Sequence, residues 1–143
     1  MKTTALVVET DDDRRGEIGG WLEDEGFDVL VCPGPRAPHY TCLASDGGRC
    51  PLAAAADVVV LNMRQASDEA MQGTPGWELL LYYLEHGSRV VAFSGDPDSF
   101  RPRPDQDVAV LRRPPDRREL IGAVRRLVRT ATPGGSDGDD PAR

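Results

Sequence analysis

The chain has 143 residues, 39% of them hydrophobic, which suits one globular domain that buries a core without metals or disulfides. Its formal net charge of −7 argues against non-specific nucleic-acid binding, which depends on clustered Lys and Arg. No apolar run approaches the roughly 18 to 20 residues that cross a bilayer, and the N-terminus lacks the features of a secretion signal, so we expect a soluble cytoplasmic protein with no membrane partner.

Two strands and one helix are predicted in the first part of the chain. Thr3 to Val8 is an apolar run typical of a buried strand, and the acidic residues Asp11 to Asp13 suit the positive end of a following helix. Gly26 is suited to end that helix. Alternation of apolar with other residues predicts a second strand from Phe27 to Val31.

The middle of the chain alternates irregular segments with well-defined elements. From Cys32 to about Ala56, prolines and glycines exclude one long helix and leave a long loop with one helical turn at Leu52 to Ala56. The β-branched run Asp57 to Leu61 predicts a central parallel strand. After a polar segment, residues 77–84 have helical length, and Gly87 ends that helix.

The last part of the chain contains two strands and one helix. Arg89 to Phe93 and Val108 to Leu111 are the fourth and fifth strands, and the prolines between them predict a short or missing helix. Apolar residues at helical spacing predict a last helix that opens at Pro115. The Gly- and Asp-rich residues 131–143 are predicted to be a disordered acidic tail, which makes residues 1–130 the folded domain.

Polar or charged groups stand at the C-terminal ends of the first, third, fourth and fifth predicted strands. In that order they are Glu9, Thr10 and Asp11; Asn62; Ser94; and Arg113. In an open parallel α/β sheet the carboxyl ends of the strands form the ligand crevice. We therefore expect these groups to converge.

This arrangement resembles a response-regulator receiver domain of the CheY-like family over about residues 3–130. The segment Gly76-Trp77-Glu78-Leu79-Leu80 is similar to the family's Gly-x-Glu-Leu-Leu, and Arg113-Pro114-Pro115-Asp116 is similar to its Lys-Pro-Phe-Asp. The resemblance implies a flavodoxin-like fold, which is a doubly wound α/β fold with a five-stranded parallel sheet. Here a long irregular segment would replace much of the second helix, and the fourth helix would be degraded.

In that family a histidine kinase transfers a phosphoryl group to an aspartate, and an acidic pair holds Mg²⁺. By the resemblance, the phosphoacceptor position falls on Asn62, whose neutral amide is a poor nucleophile, and the acidic pair falls on Glu9 and Thr10. Mg²⁺ binds through carboxylate oxygens in an octahedral set, so we do not expect a strong Mg²⁺ site. We expect no bound cofactor, with zinc as the alternative. Ser94 keeps the family's hydroxyl, whereas Arg113 replaces its lysine with a bulkier planar donor.

The output side of the predicted switch is altered as well. The aromatic residue common in the family's fifth strand falls on Val110, and the proline-rich stretch takes the place of the fourth helix. Asp11 would add a carboxylate to the site if the first strand ended one residue differently. Alternatively, Asn62 is a satisfied polar residue in an α/β domain that never descended from a phosphorelay.

The irregular segment also contains a set of residues that can bind metal, namely Cys32, His39, Cys42 and Cys50. Three thiolates and an imidazole are a complete tetrahedral zinc set in type, although the spacing matches no close-paired zinc knuckle. Three interpretations stay open: inert small hydrophobes, a redox-sensing disulfide between Cys42 and Cys50, and a zinc site.

Together these features predict a non-phosphorylatable, receiver-like signalling module that acts through protein–protein contacts and is not an enzyme. The Arg-rich last helix is interpreted either as a solvated face of mixed charge or as the docking surface for an acidic protein, with homodimer formation through the same face as a further mode. One alternative function is a receiver that responds to a phosphodonor or a metal through Glu9, Asp11 or Asp12. Another is a redox- or zinc-responsive module built on the loop from Cys32 to Cys50.

Overall fold

The computed structural model describes residues 2–34, 49–64 and 75–131, in which strands and helices alternate. The elements are β1 (Thr4–Val8), α1 (Asp12–Asp24), β2 (Asp28–Cys32), α2 (Pro51–Ala55), β3 (Val58–Asn62), α3 (Pro75–Glu85), β4 (Val90–Ser94), a 3₁₀ turn (Pro97–Ser99), β5 (Val108–Arg112) and α4 (Arg117–Ala131). All the predicted strands are present, with bounds that shift by about one residue, as expected for boundaries inferred from sequence.

The five strands form one parallel sheet in the order β2-β1-β3-β4-β5. From β1 the chain passes outward to β2, whereas from β3 it passes in the other direction to β4 and β5. This confirms the predicted doubly wound five-stranded sheet. It also puts the topological switch point, where ligands bind in such sheets, between β1 and β3.

Two apolar layers cover the sheet because successive side chains of a strand point to opposite faces. In β1, Ala5 and Val7 pack with α1 and α4, whereas Leu6 and Val8 pack with α3. The strands β3 and β4 are buried along their whole length, which explains why they are continuous apolar runs in the sequence. Burial of each such aliphatic side chain stabilises the fold by roughly 1.5–3 kcal/mol.

The connection from β4 to β5 consists of the 3₁₀ turn followed by an irregular stretch that contains one further turn. Pro102 and Pro104 lie in that stretch, where the missing N–H and the fixed φ of proline oppose an α-helix. Phe100, which follows the turn, packs edge-on against Trp77 of α3 with 5.7 Å between ring centroids. An aromatic contact therefore attaches this connection to α3.

A carboxylate at the end of α1, that of Glu25, binds two arginines of α4. Arg117 Nη2 donates to Glu25 Oε2 at 3.2 Å, and Arg125 Nη2 donates to Glu25 Oε1 at 2.6 Å. These hydrogen bonds lower the pKa of Glu25, the bond from Arg117 contributing most. Two arginines of the last helix are thus engaged within the domain.

None of the helices in the described residues combines the length and apolarity needed to cross a membrane. The predicted acidic tail lies outside the described residues except for Ala131, so its disorder stays a prediction. The same holds for residues 35–48 of the predicted irregular segment, although the helical turn predicted near its end is present as α2.

Close approach of α3 to the end of β3 depends on Gly76. A Cβ at this position would lie 1.8 Å from the carbonyl oxygen of Met63 and 2.7 Å from its carbonyl carbon. Both obstacles are backbone atoms, which cannot rotate away. The glycine in the segment Gly76-Trp77-Glu78 is therefore a packing requirement.

We predict that Gly76→Ala lowers the free energy of unfolding by about 3 kcal/mol, the upper end of the usual cost of overpacking, because backbone must move. Urea denaturation followed by circular dichroism measures the loss. Gly122→Ala is the matched control, since nothing lies within 4 Å of a Cβ there. That variant should gain up to about 1 kcal/mol from helix propensity. Equal stabilities of the two variants would contradict the packing argument.

Candidate functional site

Glu9 and Asn62 face each other at the carboxyl ends of the two central strands. Val8 of β1 pairs with Leu61 of β3, so the next residue on each strand is one member of this pair. Both side chains are buried, with 2% of Glu9 and 8% of Asn62 exposed. The parallel register therefore creates a polar pair at the switch point.

The side-chain amide of Asn62 connects a hydrogen-bond acceptor to a hydrogen-bond donor. Its Nδ2 donates to Glu9 Oε1 at 2.9 Å, and its Oδ1 accepts from the backbone N–H of Arg64 at 3.0 Å. An amide has one end that donates and one that accepts, whereas an ionised aspartate only accepts. Asparagine is thus the residue of this shape that satisfies both neighbours.

The buried Glu9 carboxylate is held by hydrogen bonds from uncharged groups. Its Oε1 accepts from Asn62, and its Oε2 accepts from the backbone N–H of Asp11 at 3.1 Å. The backbone carbonyl of Glu9 accepts from Arg15 Nη1 at 2.7 Å. A buried carboxylate requires such partners to offset its lost hydration. A metal ion at Glu9 would have to compete with both side-chain hydrogen bonds.

The other acidic residues at this edge have structural contacts in the first turn of α1. Asp11 is the N-cap, and its Oδ1 accepts from the backbone N–H of Arg14 at 2.9 Å. Asp12 pairs with Arg15, and 85% of its side chain is exposed. The carboxylates therefore do not form a cluster around one point.

An open cavity of about 560 Å³ lies above the switch point. Its lining consists of Glu9, Thr10, Asp11, Arg14, Asn62, Arg64, Arg113 and Pro114. Five of the six side chains predicted to converge after the strand ends therefore share one cavity, the exception being Ser94. Two arginines of the lining, Arg14 and Arg64, were not predicted as site residues.

Arg113 enters this cavity beside Gly95. A Cβ at Gly95 would lie 3.0 Å from Arg113 Nη2, so the absence of a side chain there makes room for the guanidinium. The backbone N–H of Arg113 donates to the Ser94 carbonyl at 2.9 Å, and the peptide bond to Pro114 is cis. Arg113 Nη1 is buried, and no acceptor in the described part of the chain reaches it.

Ser94 has a different environment from the other predicted site residues. Its Oγ accepts from the backbone N–H of Asp96 at 3.0 Å, and only 2% of the residue is exposed. It lines a small apolar cavity together with Val110, Trp77 and Phe100. Val110 therefore leaves space that the rings of Trp77 and Phe100 border.

The two described cysteines, Cys32 and Cys50, occupy structural positions. Cys32 is buried in the apolar layer beside α2 and α3. The Cys50 thiol is free and caps α2 by accepting from the backbone N–H of Ala53 at 3.5 Å, while the Cys50 N–H donates to the Tyr82 hydroxyl at 2.9 Å.

The remaining members of the predicted zinc set, His39 and Cys42, lie outside the described residues. Within residues 2–34, 49–64 and 75–131, no three His, Cys, Asp or Glu side chains are arranged to hold a metal ion. The zinc and disulfide interpretations of the loop therefore stay predictions.

We predict that Asn62→Asp destabilises the protein by about 1–3 kcal/mol at pH 7, because a second carboxylate replaces the donor to Glu9. Repulsion raises the folded-state pKa of the carboxyl pair above its unfolded value. The deficit should therefore grow as the pH rises above about 4 and shrink below it. Urea denaturation at several pH values tests this. Asn62→Leu removes the same donor to Glu9 without adding a charge, so its deficit should grow less with pH than that of Asn62→Asp. A pH profile as steep for Asn62→Leu as for Asn62→Asp would contradict the repulsion argument.

Of the comparisons with known proteins, the comparison with solved structures found matches. No protein-family model and no curated protein matches the chain. Among solved structures, a response regulator receiver domain protein from Clostridium thermocellum matches with a TM-score of 0.64 and 19% identity, over 90% of this chain and 95% of that one. The receiver domain of Francisella response regulator 1452 gives 0.63 and 18%, covering 92% and 100%.

A sensor protein from Polaromonas sp. JS666 gives a TM-score of 0.66 at 17% identity and covers the same shares, 92% and 100%. At such low sequence identities, these matches are evidence for the fold alone. The matches span almost the whole length of the chains on both sides. The chain therefore has the fold of response-regulator receiver domains.

Proposed function

We propose that this chain is a receiver-fold signalling module that is not phosphorylated and acts through protein–protein contacts. The main support for the proposal is the hydrogen bond at the end of β3, where the side-chain amide of Asn62 donates to Glu9 Oε1 at 2.9 Å. The proposal includes a cytoplasmic location, no catalytic activity and no bound cofactor.

Two chemical reasons support the absence of phosphotransfer at Asn62. An acyl phosphate needs a carboxylate nucleophile, and a neutral amide cannot replace it. Phosphoryl transfer also needs a cation to neutralise the developing charge. Here the Asn62 N–H occupies one Glu9 oxygen and the Asp11 N–H occupies the other. Both oxygens of the Glu9 carboxylate thus accept hydrogen bonds without a cation, which supports the proposal that no metal ion binds here.

The proposed contact surface is the exposed side of α4. Three arginines are exposed there, with Arg126 about two turns and Arg129 about three turns beyond Arg118 along the helix. Arg117 and Arg125 are engaged with Glu25 at the end of α1. A row of cations on a chain with a net charge of −7 favours an acidic protein as the partner. A homodimer through the same face is the second mode.

We predict that the chain gains no phosphoryl group when it is incubated with acetyl phosphate and Mg²⁺ and weighed by intact mass spectrometry. A receiver domain with an aspartate acceptor is the positive control. The variants Asn62→Asp and Asn62→Asp with Thr10→Asp test whether restored carboxylates restore labelling. Stoichiometric labelling of the unaltered chain would contradict the proposal and direct attention to Glu9, Asp11 and Asp12.

We predict that charge reversal on α4 abolishes binding of the partner protein. Cross-linking of the full chain in its native extract, followed by mass spectrometry, is compared between the unaltered chain and Arg118→Glu with Arg126→Glu. Arg103→Glu is the control, because Arg103 lies in the connection that enters β5. The double variant should lose any protein that the control still captures. Equal capture by both variants would contradict a docking role for α4.

A further inference from the structure

The exposed side of α4 carries arginines that no carboxylate of the described residues neutralises. Two arginines of this helix are paired with Glu25 at the end of α1. The other three form no ion pair with any acidic side chain in the part of the chain that the structure describes; they are Arg118, Arg126 and Arg129. Their charges are therefore available to a ligand.

These three arginines form one row along α4. At 3.6 residues per turn, their positions fall within a sector of about 80° around the helix axis. Gly122 lies in the same sector between Arg118 and Arg126, and a Cβ there would meet nothing within 4 Å, so the row is open to a chain that lies along it. Exposed Glu119 borders the row beside Arg118. The positive charge is therefore greatest at Arg126 and Arg129.

The chain that leaves α4 is acidic. Residues 132–143 contain three aspartates and one arginine. They begin with a Pro-Gly-Gly segment at 133–135, and prolines and glycines directly after a helix are typical of a change in chain direction. The carboxylates that follow this segment belong to Asp137, Asp139 and Asp140.

This segment is long enough to run back along the row of arginines. At 1.5 Å per residue along the helix axis, Arg126 lies about 8 Å and Arg118 about 20 Å before Ala131. An extended chain from Ala131 reaches at most about 20 Å at Asp137 and about 30 Å at Asp140. Both aspartates can therefore reach Arg126 after the chain reverses.

Covalent attachment decides whether such a contact forms. A single exposed pair of arginine and carboxylate is weak, because water and salt screen it. A short tether, however, holds its ligand at an effective concentration on the order of 1 mM. A contact with an intrinsic dissociation constant of about 1 mM would then be formed in about half of the molecules. A separate acidic protein at low concentration lacks this advantage.

From these observations we propose that residues 132–143 fold back on the exposed side of α4 of the same molecule, with their aspartates at Arg126 and Arg129. The regulatory consequence rests on the proposed function, since the segment then competes with the acidic partner for the same arginines. The contact is electrostatic and needs no regular secondary structure in residues 132–143, so it is compatible with the disorder predicted from their composition.

Amide chemical shifts of the full chain, measured by NMR, test the contact directly. Neutralising the three aspartates together should change the shifts of α4 around Arg126 and Arg129. About 1 M NaCl, where the Debye length is about 3 Å, should remove the difference from the unaltered chain. Equal α4 shifts in the two chains at low salt would overturn the proposal. The variant combines Asp137→Asn, Asp139→Asn and Asp140→Asn.

A matched control removes the same number of charges elsewhere. Glu78 and Glu85 belong to α3, which packs on the face of the sheet opposite α4, and Asp98 belongs to the 3₁₀ turn. All three residues are exposed. The control with Glu78→Gln, Glu85→Gln and Asp98→Asn should leave the α4 shifts unchanged. Shifts of α4 that change as much in this control as in the tail variant would contradict a local contact.

The same spectra at several protein concentrations distinguish the tail of the same molecule from the tail of a second copy. A contact within one molecule gives shift differences that do not depend on concentration. Differences that appear only as the concentration rises would contradict the proposal, because they would identify a second copy as the source of the carboxylates.

Binding of a labelled hexa-aspartate peptide, followed by fluorescence anisotropy at low ionic strength, measures the competition. An occupied surface lowers the apparent affinity to the fraction that is free, so the tail variant should bind the peptide about twofold or more tighter than the unaltered chain. With Arg126→Gln and Arg129→Gln in both chains, this difference should disappear. Unchanged affinity in the tail variant, or the same gain without the two arginines, would overturn the proposal.

The outcome for the tail is separable from the outcome for the proposed function. If the tail variant leaves the α4 shifts unchanged while charge reversal on α4 still abolishes partner capture, the docking role stands and the tail contact is refuted. If the tail contact is observed while charge reversal leaves capture unchanged, the contact stands and the docking role is refuted.

Discussion

The hydrogen bond between Asn62 and Glu9 is the interaction on which the rest of the site depends. It joins the two central strands at the position where the direction of the sheet reverses, between residues 53 apart in sequence. It also satisfies a buried carboxylate, which would otherwise require a cation or a change of protonation state. The Arg64 and Asp11 backbone contacts extend the same network, so a change at either member alters the start of both following segments.

The sequence contained most of the information on the fold because the strands are apolar runs buried on two faces. Each of β1, β3 and β4 is bounded by a polar residue, and that residue identifies the edge of the sheet. The convergence of Glu9, Asn62 and Arg113 could be predicted for the same reason. These inferences need only the period of a strand and the rule for parallel sheets.

Other features could not be predicted because they depend on which side chains meet. The bond from Asn62 to Glu9 needs the register of β1 against β3, and a shift by one residue would have removed it. Arg14 belongs to a helix whose rotational position decides which residues face the cavity, and Arg64 lies two residues beyond the end of β3. The sequence signal that could have identified Arg64 as a site residue was its position just beyond the end of a predicted strand. The place of Asp11 at the start of the first helix was predicted, whereas its hydrogen bond to the Arg14 N–H was not, because an N-cap and a metal ligand use the same residue type.

The structural complementarity of Asn62 and Glu9 limits which substitutions the site tolerates. Asparagine and aspartate have nearly the same volume, so packing alone would accept an aspartate at position 62. The obstacle is electrostatic, because the partner across the strands is a carboxylate in a buried position. The effects of changes at the two positions are therefore not additive. An acidic residue at position 62 becomes compatible with the fold only after a compensating cation or a neutral residue at position 9, so the order of the two substitutions matters.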